Sequence, residues 1–266
     1  MTPRTFLIHG LIAGLIAGFG AFAVAAIFAE PQIDTAIALE EAGTAESEHS
    51  HDDAAAGHTH AEDDHSHGED AVVSRATQST WGLATGTVLL GTVLGGATAL
   101  ASAFALGRLG SLSARASTAL VTAIGFVATG LVPFLKYPST PPAVGSGDTI
   151  GERTALYFGF WAVSVVAAVA AVVLARRLLP RLGAYRSVVA GAGAYLVAVT
   201  AVGLVMPTVN EIGDFPADTL WYFRRESIVT VASLWAVLGV VLTGLVGRAA
   251  DRFAAQQLRR EVAASL

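Results

Sequence analysis

The sequence predicts an all-α membrane protein built as a bundle of six transmembrane helices, and three observations support this fold class. Hydrophobic residues make up 53% of the 266 residues and charged residues only 14%, whereas about 25% of a soluble domain is charged. Six stretches of at least 20 residues lack Asp, Glu, Lys and Arg, and a helix needs about 20 apolar residues to cross a bilayer. Glycine occurs 28 times, a frequency that suits membrane helices.

One membrane domain, 1–250, holds all six predicted spans. They lie at about 6–29, 80–106, 116–136, 154–176, 187–207 and 227–247, and residues 251–266 form a predicted cytoplasmic tail. The first span resembles a signal peptide in having Arg4 before its apolar run. A signal peptide, however, has an apolar region of only about 7–15 residues, and this run has 25. An uncleaved first helix is therefore favoured.

The basic residues predict the orientation. With the N-terminus inside, the inner segments hold 11 of the 16 Lys and Arg residues and the outer segments hold 5. Because Lys and Arg are enriched in cytoplasmic loops, both termini are expected in the cytoplasm. The loops at 30–75, 136–153 and 208–225 are then outside.

Glycines recur at a spacing of four in the first two spans. Gly10, Gly14 and Gly18 share one face of the first helix, and the pairs Gly82/Gly86 and Gly91/Gly95 follow in the second. Small residues at this spacing let helix backbones approach closely. The pattern therefore favours tight helix packing over a moving constriction.

The first outer loop, 40–72, is rich in histidine and acid. Six of the seven histidines lie there in three H-x-H pairs, and 11 acidic residues but no Lys or Arg lie between Glu40 and Asp70. Such a segment cannot bury a core and is expected to be disordered without a ligand. The paired histidines are His49, His51, His58, His60, His65 and His67.

The H-x-H pairs predict divalent metal binding. In an extended chain, residues i and i+2 point to the same side, so two imidazoles can reach one ion while nearby carboxylates supply oxygen. Imidazole suits Zn, Cu, Ni, Co and Fe. The alternative is a solvated acidic linker, which explains three repeated pairs poorly. The seventh histidine, His9, lies near the cytoplasmic end of the first span, where a functional group and a residue satisfied by the backbone are equally compatible with the sequence.

Further candidate metal ligands lie close to the outer membrane surface. Glu30 and Asp34 follow the first span, and Glu211 and Asp214 follow the fifth. Carboxylate oxygens of this kind would suit the mouth of a cation pathway, although ordinary caps and salt bridges would look similar. In the third outer segment, Asp218, Arg224, Arg225 and Glu226 are expected to pair with one another. Lys136 and Tyr137 fit either an interfacial anchor or a rigid cap made with the prolines around them.

Several chemistries are excluded by missing residues. Without cysteine there is no thiolate metal site, Fe–S cluster or cysteine nucleophile. The sequence contains no G-x-x-x-x-G-K-[ST], H-E-x-x-H or G-x-S-x-G motif, so neither a P-loop nor these catalytic sites are predicted. We therefore expect no enzyme, no catalytic residues, no bound cofactor and no nucleic-acid partner.

Several long segments resemble the CbtA family, the large membrane subunit of a cobalt transporter. They are EPQIDTAIALEEA from Glu30, VSRATQSTWGLATG from Val73, PFLKYPSTPPAVG from Pro133, TIGERTALYF from Thr149 and MPTVNEIGDFPADTLWYFR from Met206. The resemblance spans roughly residues 5–250. It implies a multi-pass protein of the bacterial cell membrane, an association with cobalamin synthesis, and a small single-span partner similar to CbtB.

The residues and the resemblance together predict a membrane subunit of a divalent metal uptake system. Co²⁺ is the substrate that the resemblance implies, with Ni²⁺ or Zn²⁺ as alternatives. The ion would be captured on the outer face and passed inward through the lipid bilayer. A different hypothesis is a membrane metal-binding or sensor protein that presents ions to a separate permease, because the six span cores contain no Asp or Glu.

Overall fold

The computed structural model describes residues 1–49 and 74–265, and that part of the chain is helical without strands. Its α-helices, in chain order, are α1 (Pro3–Val24), α2 (Glu30–His49), α3 (Arg75–Thr77), α4 (Leu83–Ala105), α5 (Ala114–Phe126), α6 (Val132–Lys136), α7 (Ile150–Val205) and α8 (Ala217–Ala264). Three π-helical turns join helices directly, at Ala25–Ala29, Gln78–Gly82 and Val127–Leu131. A 3₁₀ turn, Gly147–Thr149, precedes α7.

Five helical stretches in the described residues are long and apolar enough to cross a membrane. They are Pro3–Ala42, Arg75–Ala105, Ala114–Lys136, Gly147–Val205 and Ala217–Ala264. The all-helical membrane class is therefore confirmed for these residues, but the six separate helices are not. The difference arises in one place, because the predicted spans 154–176 and 187–207 belong to a single stretch with no loop between them.

That stretch, α7, is folded back on itself. Gly183 has φ 75° and ψ 172° inside the helix, a conformation that glycine adopts without the steric cost of a Cβ. The hydroxyls of Ser164 and Tyr195 are 2.8 Å apart. They are 31 positions apart in sequence, a separation that would place them about 46 Å apart in one straight helix. The two arms of α7, before and after Gly183, therefore pack side by side as a hairpin.

The first core joins the beginning and the end of the chain. Its buried members come from α1, α4 and α8 and include Phe6, Ala17, Ala99, Leu238 and Val246. Because α1 and α8 share this core, the first and last helices bury side chains against each other.

Glycine makes the contact between α1 and α4 possible. Gly10 lies against Gly95, Gly14 against Gly91 and Gly18 against Val88, so the two helices run antiparallel. A Cβ on Gly14 would overlap the Gly91 carbonyl oxygen and lie 2.9 Å from Thr92 Cα. This is the tight packing that the spacing predicts. Gly86 takes no part in it, because a Cβ there would meet nothing within 4 Å.

A second core connects the hairpin to the middle of the bundle. Ala128, Tyr137, Phe160, Tyr195 and Val199 are buried there together. The Ser164 hydroxyl donates to the Ala128 carbonyl oxygen at 2.7 Å. The ring centroids of Tyr137 and Phe160 are 6.0 Å apart at an interplanar angle of 85°, the edge-to-face arrangement that aromatic pairs favour.

Two of the π-helical turns are followed by proline. Pro31 and Pro133 each stand two residues after the end of a turn, at Ala29 and Leu131 respectively. Proline lacks the backbone N–H that would donate to the carbonyl four residues earlier in an α-helix. In a π-turn the backbone hydrogen bonds span five residues, so the hydrogen-bonding pattern changes just before the proline. The chain thereby continues as a helix through both prolines instead of stopping.

Two helices extend beyond the predicted bounds. Residues 40–49 were expected in the outer loop but belong to α2, which reaches His49; alanine and glutamate, both good helix formers, are frequent in this segment. The predicted tail at 251–266 continues α8 as a helix to Ala264. The remainder of the predicted loop, 50–72, lies outside the described residues.

Candidate functional site

The acidic candidates gather at one end of the bundle, which we call the carboxylate end. It consists of the start of α2 with Arg75, the segment 137–149 and the segment 206–216. Arg75 binds carboxylates of α2, and one cavity is lined by residues from α2 and from both segments. The opposite end, which we call the arginine end, contains the α4–α5 connection, the bend of α7 and the last part of α8, where Arg115 donates to Asp251 at 2.9 Å.

Two cross-contacts fix the segment 206–216. The Lys136 ammonium donates to the Met206 carbonyl oxygen at 3.1 Å, and the Tyr137 hydroxyl donates to the Pro207 carbonyl oxygen at 2.8 Å. Burial raises the pKa of the Tyr137 phenol above its usual value, so the group stays neutral and remains a donor. These contacts join the end of α6 to the start of the segment 206–216.

Glu211 is the main polar connection between the two outer segments. Its Oε2 atom accepts from the Thr149 hydroxyl at 2.8 Å and from the Ser146 N–H at 3.2 Å. The Arg153 Nε lies 3.6 Å from the same oxygen and is buried with no hydrogen-bond partner among the described atoms. Two donors and one guanidinium therefore surround this carboxylate oxygen.

A cavity of about 760 Å³ opens beside Glu211. Glu40, Glu211 and Asp214 line it, together with backbone of Gly145 and Gly213. Asp214 is exposed. Carboxylates from two distant parts of the chain therefore line one wide, open space.

Glu30 and Asp34 form a separate group with Arg75. The Arg75 guanidinium binds Glu30 and lies 2.8 Å from Asp34 Oδ1. The side chain of Glu30 is 11% exposed and that of Asp34 is 64% exposed. The four predicted oxygen ligands are thus divided between two places, and Glu30 and Asp34 share a cation that the chain itself provides.

The histidine candidates cannot be placed in a site. His49 is the last residue of α2, and His51, His58, His60, His65 and His67 lie outside the described residues. Within 1–49 and 74–265, no group of three or more His, Asp or Glu side chains is arranged to hold a metal ion. His9 has a local partner, since its Nδ1 lies 2.6 Å from the Thr5 carbonyl oxygen one helical turn away. This contact matches the backbone-satisfied alternative for His9.

Glu226 is a further candidate, which was not among the site residues predicted from the sequence. This carboxylate is 6% exposed and accepts from Arg225 Nε at 2.9 Å; the pairing within the segment was expected, but the burial was not. The sequence signal was its position, directly before an apolar run of membrane length. A buried carboxylate at the start of a span is a functional candidate by the same reasoning that applies to ionisable groups in membranes.

One comparison with known proteins gives a match. A family model described as "Probable cobalt transporter subunit (CbtA)" matches residues 3–247. Neither the curated proteins nor the solved structures include a significant match.

Proposed function

Because this chain belongs to the CbtA family of probable cobalt transporter subunits, we propose that it captures divalent cobalt at the carboxylate end and passes it toward the arginine end. The observation that carries this proposal is the shared cavity of Glu40, Glu211 and Asp214. Carboxylate oxygens attract and concentrate cations. Ni²⁺ and Zn²⁺ are alternative ions for the same oxygen ligands.

The proposed topology has six crossings, with both termini in the cytoplasm. It is supported by the hairpin of α7, whose two arms each provide about 20 apolar residues, the length of one span. The basic residues support the orientation, since they concentrate in the segments of the arginine end. The carboxylate end then faces outward, where an uptake system meets its ion.

The topology predicts that Ala56 is accessible from outside the cell. A cysteine placed at Ala56 should react with a membrane-impermeant maleimide in intact cells, because the chain has no other cysteine and the segment 50–73 connects two outer helix ends. Cysteine at Ala249, after the last span, serves as the matched inner position. Labelling of Ala249→Cys in intact cells, with Ala56→Cys labelled only after lysis, would show that the protein has the opposite orientation.

We propose that the histidine segment assists capture and does not form the pathway. Its pairs can bind Co²⁺, but the cavity of Glu211 provides ligands of its own. Deleting His49–His67 should lower the initial rate of uptake at low cobalt several-fold and leave the rate at saturating cobalt nearly unchanged. Loss of uptake at saturating cobalt would contradict an assisting role.

A small single-span subunit similar to CbtB is the proposed partner. Proteoliposomes holding this chain alone, and then with the partner, should be compared for accumulation of radioactive cobalt. We expect uptake with the partner, because the span cores contain no Asp or Glu that would move an ion through this chain alone. Absence of uptake in both preparations, with cobalt still bound by the chain, would contradict transport.

That last outcome describes the second candidate function. The described carboxylates of the cavity lie at one end of the bundle and none lies in the middle of a span. This arrangement favours a membrane protein that binds the ion and presents it to a separate permease. Cobalt binding without uptake by this chain, together with a faster rate of cobalt uptake when the permease is added, would support this function.

A further inference from the structure

An apolar groove runs along the bundle at the arginine end. It lies between α5 and the two arms of α7 and has a volume of about 450 Å³, within the range of about 300–1,000 Å³ for sites that hold small molecules. Its walls include Leu120 and Ala123 from α5 and Ala171 and Ala192 from the two arms. The hairpin therefore leaves a space beside α5 that this part of the chain does not fill.

The groove offers one charged group. Arg176 lines it, and no carboxylate of the described residues pairs with this guanidinium. The two hydroxyls of the lining are already satisfied: Ser187 donates to the Gly183 carbonyl oxygen at 2.7 Å, and Tyr195 shares a hydrogen bond with Ser164 at 2.8 Å. A ligand that fits must be apolar along its length and anionic at one end.

The length of the groove fits one leaflet of a bilayer. On the second arm of α7 the lining runs from Ala184 to Tyr195, which corresponds to about 16 Å of helix. Half of the hydrocarbon core of a bilayer is about 15 Å. Arg176 and Ala184 lie toward the bend of α7, and Tyr195 lies toward the middle of the bundle. The cation is thus at the end where the head groups of that leaflet would lie.

We propose that this groove is a binding site for an anionic phospholipid. One acyl chain lies between α5 and the hairpin, and Arg176 binds the phosphate of the head group. Basic pockets between membrane helices bind anionic head groups in this way. A phospholipid is favoured over a transmembrane helix of a partner because the one charged group of the lining, Arg176, complements an anionic head group. The proposal does not depend on cobalt transport.

The test measures lipid retained by the purified full-length protein. The protein is exchanged into detergent containing equal amounts of phosphatidylglycerol and phosphatidylcholine, and bound lipids are counted by native mass spectrometry. The wild type should retain about one phosphatidylglycerol in preference to phosphatidylcholine. Arg176→Ala should lower that occupancy about five-fold, as expected for the loss of one basic contact. Arg177→Ala is the matched control, since Arg177 is adjacent but does not line the groove, and it should leave the occupancy unchanged.

A second pair of variants tests the groove itself. Ala192→Trp fills it and should abolish retention, whereas Val197→Trp, on an exposed position of the same arm, should not. If Ala192→Trp is not monodisperse, Ala123→Trp on the opposite wall replaces it. Equal occupancy in Arg176→Ala and Arg177→Ala would overturn the proposal, as would wild-type retention in the filled variant. Loss of retention on adding the single-span partner subunit would also overturn it, because the groove would then be a helix site.

Discussion

Replacing Gly14 with alanine is expected to lower the melting temperature of the purified protein by about 2–12 °C. The added Cβ would overlap the Gly91 carbonyl oxygen and lie 2.9 Å from Thr92 Cα, and neither backbone atom can move without shifting α4. Overpacking of this kind costs about 1–3 kcal/mol, and for a chain of about this size each kcal/mol corresponds to roughly 2–4 °C. Thermal unfolding followed by circular dichroism in detergent measures the change.

Gly86→Ala is the matched control for this substitution. Gly86 is also helical and lies in α4, but an added Cβ there meets nothing within 4 Å. Alanine has the higher helix propensity, so this variant should unfold at the same temperature as the wild type or slightly above it. Equal melting temperatures for the two variants would show that the α1–α4 contact is looser than the structure has it.

The second large effect is expected from Glu211→Gln, which should raise the cobalt concentration for half-maximal binding about ten-fold or more. Losing a group at or next to a metal site commonly costs 10–100-fold in affinity. The glutamine oxygen can still accept from Thr149 and from the Ser146 N–H, so the two outer segments should remain connected and the melting temperature nearly unchanged. Calorimetric titration with Co²⁺ and thermal unfolding on the same preparation separate the two effects.

Two further variants make this result specific. Asp148 is an exposed carboxylate at the same end of the bundle, and it does not line the cavity. Asp148→Asn should therefore leave the cobalt affinity unchanged. Glu211→Ala removes charge and acceptor together and should also destabilise the fold, because it removes the hydrogen bonds from Thr149 and Ser146 and a typical hydrogen bond contributes about 0.5–1.5 kcal/mol. Wild-type affinity in Glu211→Gln would assign Glu211 a structural role alone.

The membrane class, the glycine contact and the pairing of Arg225 with Glu226 were predictable because each depends on local sequence. Apolar run length shows which segments can span, and a spacing of four places glycines on one helix face. The predicted division into six separate helices was not confirmed. The segment Arg176–Arg186 contains enough helix-forming residues to continue the helix to a single bend at Gly183. A charged segment of eleven residues is typical of a loop and also of a short helical corner.

The arrangement of the candidate site was less accessible from the sequence. Glu30 and Arg75 are 45 positions apart, so their pairing follows from the antiparallel packing of α1 and α4 and not from any motif. Glu211 and Thr149 are 62 positions apart, and no motif predicts their contact either. Two of the three π-helical turns did have a sequence signal, namely Pro31 and Pro133, where an ordinary helix would lose a hydrogen bond.

The core shared by α1 and α8 has a consequence for biosynthesis. Gly20 packs against Val237, and a ribosome adding about 5–20 residues per second needs about 10–40 s to make the chain between them. During that interval the first helix is in the membrane with α4 as its partner while the side that will meet α8 still faces lipid. The last helix thus completes the burial of the first, and a chain truncated before residue 217 would leave that side of α1 without its partner.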